Sequence, residues 1–110
     1  MKITEQYVIS AIDHKLPFRR NGREVGVWLD RIDVKYRGVV IASISPDKEL
    51  LTIPGSVKMD SSNAEFLNAL LARYTTYSIL FQGKEWKLKN KSGTVFPLGH
   101  ADMQIKMNLN

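Results

Sequence analysis

Cysteine is absent from this sequence. Its absence excludes disulfides, thiolate metal sites and cysteine nucleophiles, and it suits a reducing compartment. Histidine is nearly absent too, with 2 residues in 110. No glycine-rich phosphate loop, serine elbow, zinc spacing or dinucleotide fingerprint is present. No cofactor and no metal site are therefore expected. No apolar run approaches the ~20 residues that span a bilayer. The opening residues, Met1-Lys2-Ile3-Thr4-Glu5-Gln6, lack an apolar core behind a basic start. The expectation is a soluble cytoplasmic protein that does not enter a membrane.

Acidic residues are the scarcer charge, 11 against 16 lysines and arginines, giving a formal charge of +5 and a pI near 9.6. A basic balance in a small domain attracts polyanions such as nucleic acid or acidic protein surfaces. The hydrophobic fraction of 44% and charged fraction of 25% are ordinary for a globular chain, and 110 residues suffice for one domain with its own core.

What is abundant is strand sequence. Gly38-Val39-Val40-Ile41-Ala42-Ser43-Ile44 is the longest apolar run and is rich in β-branched residues, which pack well on a pleated surface. Strict alternation puts Val40, Ala42 and Ile44 on one face and Val39 and Ile41 on the other. That pattern predicts a central strand covered on both sides. Ser45-Pro46-Asp47-Lys48 reads as a turn with Pro46 second, and Leu50 to Ile53 as the return strand.

Before this hairpin, Thr4 is a candidate N-cap, with Ile3 and Val8 placed as a hydrophobic staple. Val8, Ile12 and Leu16 at four-residue spacing predict a helix over 4–14, closed by Pro17. Phe18 to Leu29 reads as a hairpin around Asn21-Gly22, whose residues tolerate the positive φ of a primed turn. Alternating Ile32, Val34 and Tyr36 continue as strand. After the central hairpin, Ser62-x-x-Glu65 has the form of a capping box. Phe66, Leu67, Leu70, Leu71 and Tyr74 then form an apolar stripe that predicts a helix over 63–74, with Asn68 and Arg73 facing away. Thr75 to Phe81, Lys84 to Lys89 and Thr94 to Phe96 read as a three-stranded meander with turns at Gln82-Gly83 and Asn90 to Gly93. Met103, Ile105, Met107 and Leu109 alternate as a half-buried last strand, which could add to a neighbour's sheet edge and make a homodimer. The fold class is α+β: one domain over 1–110, mainly antiparallel sheet, with two helices.

The chemistry is thinner. His14 and His100, with nearby cations, would suit a metal-independent ribonuclease. Pro46-Asp47 followed by Glu85-Trp86-Lys87 loosely matches a metal-dependent nuclease pattern, and Asp33-Val34-Lys35 matches it equally loosely. Neither carries an orienting motif, so no catalytic residue is assigned and the chain reads as non-enzymatic. The basic clusters carry more. Arg19, Arg20 and Arg23 crowd the first hairpin turn, and arginine forks bind phosphate and stack on bases. Phe18 and Trp28 lie near enough in sequence to add stacking. Lys87 and Lys89 share a strand face, with Lys91 in the next turn. Trp86, Tyr74 and Phe66 read as core. The expected function is a small regulatory or binding protein that presents a basic hairpin to an anionic partner, nucleic acid slightly ahead of an acidic protein surface. The alternatives are an inhibitor or adaptor directed at an enzyme, and the ribonuclease.

Overall fold

A computed structural model describes residues 2–108. The elements run α1 (Ile3–His14), β1 (Phe18–Arg20), β2 (Arg23–Val27), β3 (Ile32–Tyr36), β4 (Val39–Ser45), β5 (Leu50–Ile53), α2 (Ser61–Tyr74), β6 (Ser78–Gln82), β7 (Glu85–Lys89), β8 (Val95–Pro97) and β9 (Met103–Lys106). Every strand pairing is antiparallel. One sheet has the order β1-β2-β3-β4-β5-β9 and a second has β6-β7-β8. The α+β class read from the sequence holds. The Cα radius of gyration, 13.1 Å, is that of one folded domain of this length. Among the described residues, no helix is long and apolar enough to cross a membrane.

Register explains the large sheet. Ile32 pairs with Ile44, Ile44 with Leu51, and Leu51 with Ile105. All are buried, and they share one cluster with Val8, Ile9 and Ile12 of α1 and Phe66, Leu67, Leu70 and Leu71 of α2. Both helices thus cover this inner face. One residue further along, the outer face shows a different row: Gly26 opposite Asp33, then Ser43, Thr52 and Gln104 on successive strands.

The central strand departs from strict alternation. Val34 pairs with Ala42 but Lys35 pairs with Val40, so Ile41 is an extra residue, a β-bulge. Ile41 and Ala42 are consecutive, and both are buried. The expected face assignment is therefore corrected. Ile41 joins Ala42 and Ile44 inside, Val40 moves opposite Lys35, and Val39 is exposed. Two apolar faces in sequence become one apolar face and a bulge.

The termini of elements shift for local reasons. Helix α1 begins at Ile3, with Lys2 as an N-cap that makes no side-chain bond, so Thr4 is inside the helix and no staple forms there. Leu16 lies outside the helix and is exposed, because Lys15 takes left-handed backbone (φ 54°) and ends it. Helix α2 begins two residues earlier than the capping box implies. Asp60 is the cap, and its Oδ1 accepts from the Asn63 N–H at 2.7 Å. Asp in that role satisfies an orphan donor and complements the helix dipole. The β4–β5 turn closes from Glu49 N–H to Pro46 O, which places Pro46 first in the turn rather than second. Thr75 caps α2 instead of starting β6. Of the alternating last strand, Met103 and Ile105 lie in β9, Met107 is buried just past it, and Leu109 lies outside the described residues.

Asn68, expected to face away, ties α2 to the small sheet. Its amide donates to Ile79 O at 2.9 Å, and its Oδ1 accepts from Ile79 N–H at 2.6 Å. The side chain thus acts as a short substitute strand along β6. Asn68→Ala leaves both Ile79 groups unpaired and should cost about 1–3 kcal/mol in denaturant unfolding. Leu70→Ala, deep in the core, should cost about 2–5 kcal/mol. A loss below about 0.5 kcal/mol for either would contradict its placement.

Tyr74 and Arg73 join α2 to α1 through Asp13. The Tyr74 hydroxyl donates to Asp13 Oδ1 at 2.6 Å and Arg73 Nη2 donates to Oδ2 at 3.0 Å. Burial first, and the bond to Asp13 second, hold the Tyr74 phenol well above its ordinary value. A tyrosine in the unfolded chain ionises near about pH 10, whereas folded Tyr74 stays protonated beyond it. The stability contribution is complete below that pH and is lost as pH rises above it. Unfolding measured from neutral to alkaline pH should show this loss, and Tyr74→Phe should flatten it.

Candidate functional site

The first hairpin is built around Asn21 (φ 52°) and Gly22 (φ 78°), both in left-handed backbone, as a primed two-residue turn requires. A second such turn, Arg37 (φ 50°) and Gly38 (φ 82°), joins β3 to β4 and lies against the first. The Arg37 N–H donates to Gly22 O at 2.8 Å, so the two turns are stitched together.

Pairing within β1 and β2 separates the three hairpin arginines. Arg20 sits opposite Arg23, and Arg19 opposite Glu24, with Lys35 next across the sheet. Alternation sends Arg20 and Arg23 to the helix side and Arg19 to the outer face. Arg19 and Arg20 are exposed, but Arg23 is only 8% exposed. Its guanidinium carbon lies 4.1 Å from the Tyr36 ring centroid and 3.9 Å from that of Phe66. A planar cation between two ring faces is well placed for cation–π attraction. Burial lowers its pKa, while Tyr36, Glu5 and Asp60 act in the opposite sense. Its Nη1 is buried without a hydrogen-bond partner among the described residues. The expectation of three arginines on an accessible turn is thus corrected to two. Arg23 is a core residue that mounts the hairpin on α2.

Arg20 lies over the ring of Tyr7, 5.5 Å from its centroid, and the Phe18 ring is 6.3 Å from that of Tyr7. Tyr7 is 46% exposed. Arg37 stands over Tyr36 at 5.2 Å. Exposed Arg20 and Arg37 thus lie over the rings of Tyr7 and Tyr36 near the joined turns, while exposed Arg19 faces the other side of the sheet. Tyr7 and Arg37 were not among the residues singled out from sequence. Arg37 had a legible signal, since Arg-Gly between two strands marks a turn. Tyr7 is brought to the hairpin only by packing of α1.

The other nominated residues lie elsewhere. Trp28 does not join Phe18. It folds over Gly26 on the outer face, where its Nε1–H donates to Asp33 Oδ2 at 3.1 Å. Lys87 and Lys89 do share a face of β7, and Lys91 is exposed in the next turn, all on the small sheet. Trp86 is partly buried, with its ring 5.0 Å from Phe81, while Phe66 and Tyr74 are core. His14 is exposed at the end of α1 with Nδ1 2.8 Å from Ser10 O, and His100 is exposed in the β8–β9 connection. No hydrogen bond joins the histidines. Asp47 belongs to the β4–β5 turn and Glu85 to the other sheet, and among the described residues no group of three or more acids and histidines is placed to hold a metal ion.

Comparison with protein-family models, with curated proteins and with solved structures finds no match. The geometry of the chain itself is what a functional reading rests on.

Separating a structural from a surface arginine is directly measurable. Arg23→Ala removes the ring-stacked cation and its packing, and should lower stability by about 1–3 kcal/mol. Arg19→Ala and Arg20→Ala should each stay within about 0.5 kcal/mol of the parent. Chemical denaturation of the three variants checks the order.

Proposed function

We propose that this is a small non-enzymatic cytoplasmic binding protein whose hairpin end contacts an anionic partner, with nucleic acid ahead of an acidic protein surface. The observation that supports it is that Arg19, Arg20 and Arg37 are all exposed at the end of the sheet that carries the two stitched turns, with the half-exposed Tyr7 ring under Arg20. Guanidinium groups bind phosphate oxygens in forked geometry. Aromatic faces beside them add sequence-tolerant stacking, the combination that holds single strands. Glu24 is the acid nearest these arginines in the strand register. Anchoring through Arg23 fixes the presentation, so less conformational entropy is lost on binding.

The test is a titration with fluorescently labelled single-stranded RNA and DNA over a range of salt concentrations. Binding should weaken steeply with salt, because each neutralised phosphate releases counterions. The Arg19→Ala/Arg20→Ala/Arg37→Ala variant should reduce the log–log salt slope by about 2, the contribution of three single-strand phosphate contacts. Its unfolding midpoint should stay close to the parent's. A parent that ignores both nucleic acids at moderate salt, but retains a protein from nuclease-treated extract through these arginines, would transfer the site to an inhibitor or adaptor role. Unchanged binding by the triple variant would remove the hairpin from either reading.

A further inference from the structure

Asn21-Gly22, the turn that joins β1 to β2, is the only place in the chain where glycine follows asparagine. The pair carries its own chemistry. The side-chain amide carbon can close a ring on the next backbone nitrogen, and glycine has no Cβ to hinder the approach. The other asparagines among the described residues, Asn63, Asn68, Asn90 and Asn108, precede alanine, lysine or leucine. Three of them are also tied by their side chains. Asn63 donates to Lys58 O, Asn68 pairs with Ile79, and Asn90 Oδ1 accepts from the Thr94 N–H. Asn21 is exposed, and neither its amide nor the Gly22 N–H makes a hydrogen bond to another described residue.

The closed turn nonetheless keeps the two reactants apart. Positive φ at both residues, 52° and 78°, marks a type I′ turn. There the asparagine ψ is small and positive, which sets Cβ nearly opposite the Gly22 nitrogen across the Cα–C bond. Cγ reaches that nitrogen only after ψ rotates and the turn opens. The neighbouring turn opposes this rotation. Arg37 N–H donates to Gly22 O at 2.8 Å, and a Cβ built on Gly22 would lie 3.3 Å from the Tyr36 ring and 3.4 Å from Arg37. The β3–β4 turn is thus seated closely on the reactive pair and acts as its latch.

We propose that Asn21 is a self-modification site, deamidated by hydrolysis and latched by the β3–β4 turn. In the opened turn the Gly22 nitrogen attacks Asn21 Cγ. An N–Cγ bond forms, the Gly22 N–H proton is lost, and the side-chain nitrogen leaves as ammonia. The product is a cyclic imide. Water then cleaves one of its C–N bonds. Cleavage at Cγ leaves aspartate. Cleavage at the main-chain carbonyl carbon leaves isoaspartate, whose main chain runs through Cβ and Cγ. Either product places a carboxylate next to Arg20 in the chain and lowers the formal charge of +5 by one. The isoaspartyl form also lengthens the main chain of a two-residue turn, which breaks the fit between the Arg20–Arg23 pairing and the stitch to Arg37. The ammonia is lost, so each opening that reacts is recorded permanently at the hairpin end.

The test is peptide mapping by mass spectrometry after the intact chain is held at mildly alkaline pH in ¹⁸O-enriched water, which labels the new carboxylate. Asn21 should convert ahead of every other asparagine. In urea above the unfolding midpoint it should convert about tenfold faster or more, because only the open fraction of the folded chain reacts. Asn21→Gly suits the primed turn and has no side-chain amide, so it should stay folded and show no such conversion at the turn. In the purified isoaspartyl form, the Arg37 amide should lose its protection from hydrogen exchange while the Ile44 amide keeps its own. The proposal is overturned if Asn21 stays intact in the folded chain, or if another asparagine converts first. Equal rates in the folded and unfolded chain would overturn the latch, as would an isoaspartyl form whose Arg37 amide remains protected.

Discussion

The parity of the β4 strand governs which surface this molecule shows to its helices and which to the outside. A strand turns alternate side chains to opposite faces, so a single extra residue exchanges the faces beyond it. Ile41 is that residue. On its C-terminal side, Ala42 and Ile44 face the core and Ser43 and Ser45 face outward, in step with Leu51 and Thr52 on the next strand. On its N-terminal side, Val40 is turned out beside Lys35. Without the bulge, one half of β4 would drive an isoleucine to the outer face. With it, the helices receive an unbroken apolar layer, and the outside receives the uncharged polar row from Ser43 to Gln104. The interior and the outer polar row are two products of the same register.

The same sheet separates two kinds of chemistry. At the turn end, Arg20 and Arg37 lie over aromatic rings and Arg19 faces the outer side opposite Glu24. On the outer face, Asp33 holds Trp28, Arg31 and Ser43 beside the hydroxyl of Thr52 and the amide of Gln104. Arg23 belongs to neither surface. Its guanidinium is held between Tyr36 and Phe66, where it is a buried packing group. A formal positive charge counted over the chain does not distinguish these roles, and only the placement of each residue does.

Much of the architecture was legible in the sequence. The α2 stripe from Phe66 to Tyr74, the Asn21-Gly22 hairpin, the β4–β5 pair and the β6–β8 meander all follow from periodicity and turn chemistry, which are local. What was not legible depends on contacts between distant segments. Alternation alone could not reveal the bulge, because its cause is pairing with β3. Asn68 looked like a solvent-facing helix residue, since nothing nearby announces that Ile79 will lie beside it. Ser62 and Asp60 compete as caps within two residues, and Asp60 won with a 2.7 Å bond. At the hairpin, residue spacing grouped three arginines that strand alternation then divided. Trp28 lies apart from Phe18, because the loop after β2 folds it back across Gly26.

The position of β9 has a kinetic meaning. Strands β1 to β5 form successive antiparallel hairpins, whose partners are close in the chain and can meet quickly. The pairing of Leu50 with Lys106 and Ile53 with Met103 is of another kind, because α2 and the whole small sheet lie between the partners. Closing a loop of some 50 residues costs about 3–4 kcal/mol of chain entropy. Until β9 arrives, the β5 edge offers unpaired backbone groups beside Leu51 and Ile53, two of the most buried residues of the finished fold. The pairing of longest sequence separation in the large sheet is thus also the one that covers the edge of β5.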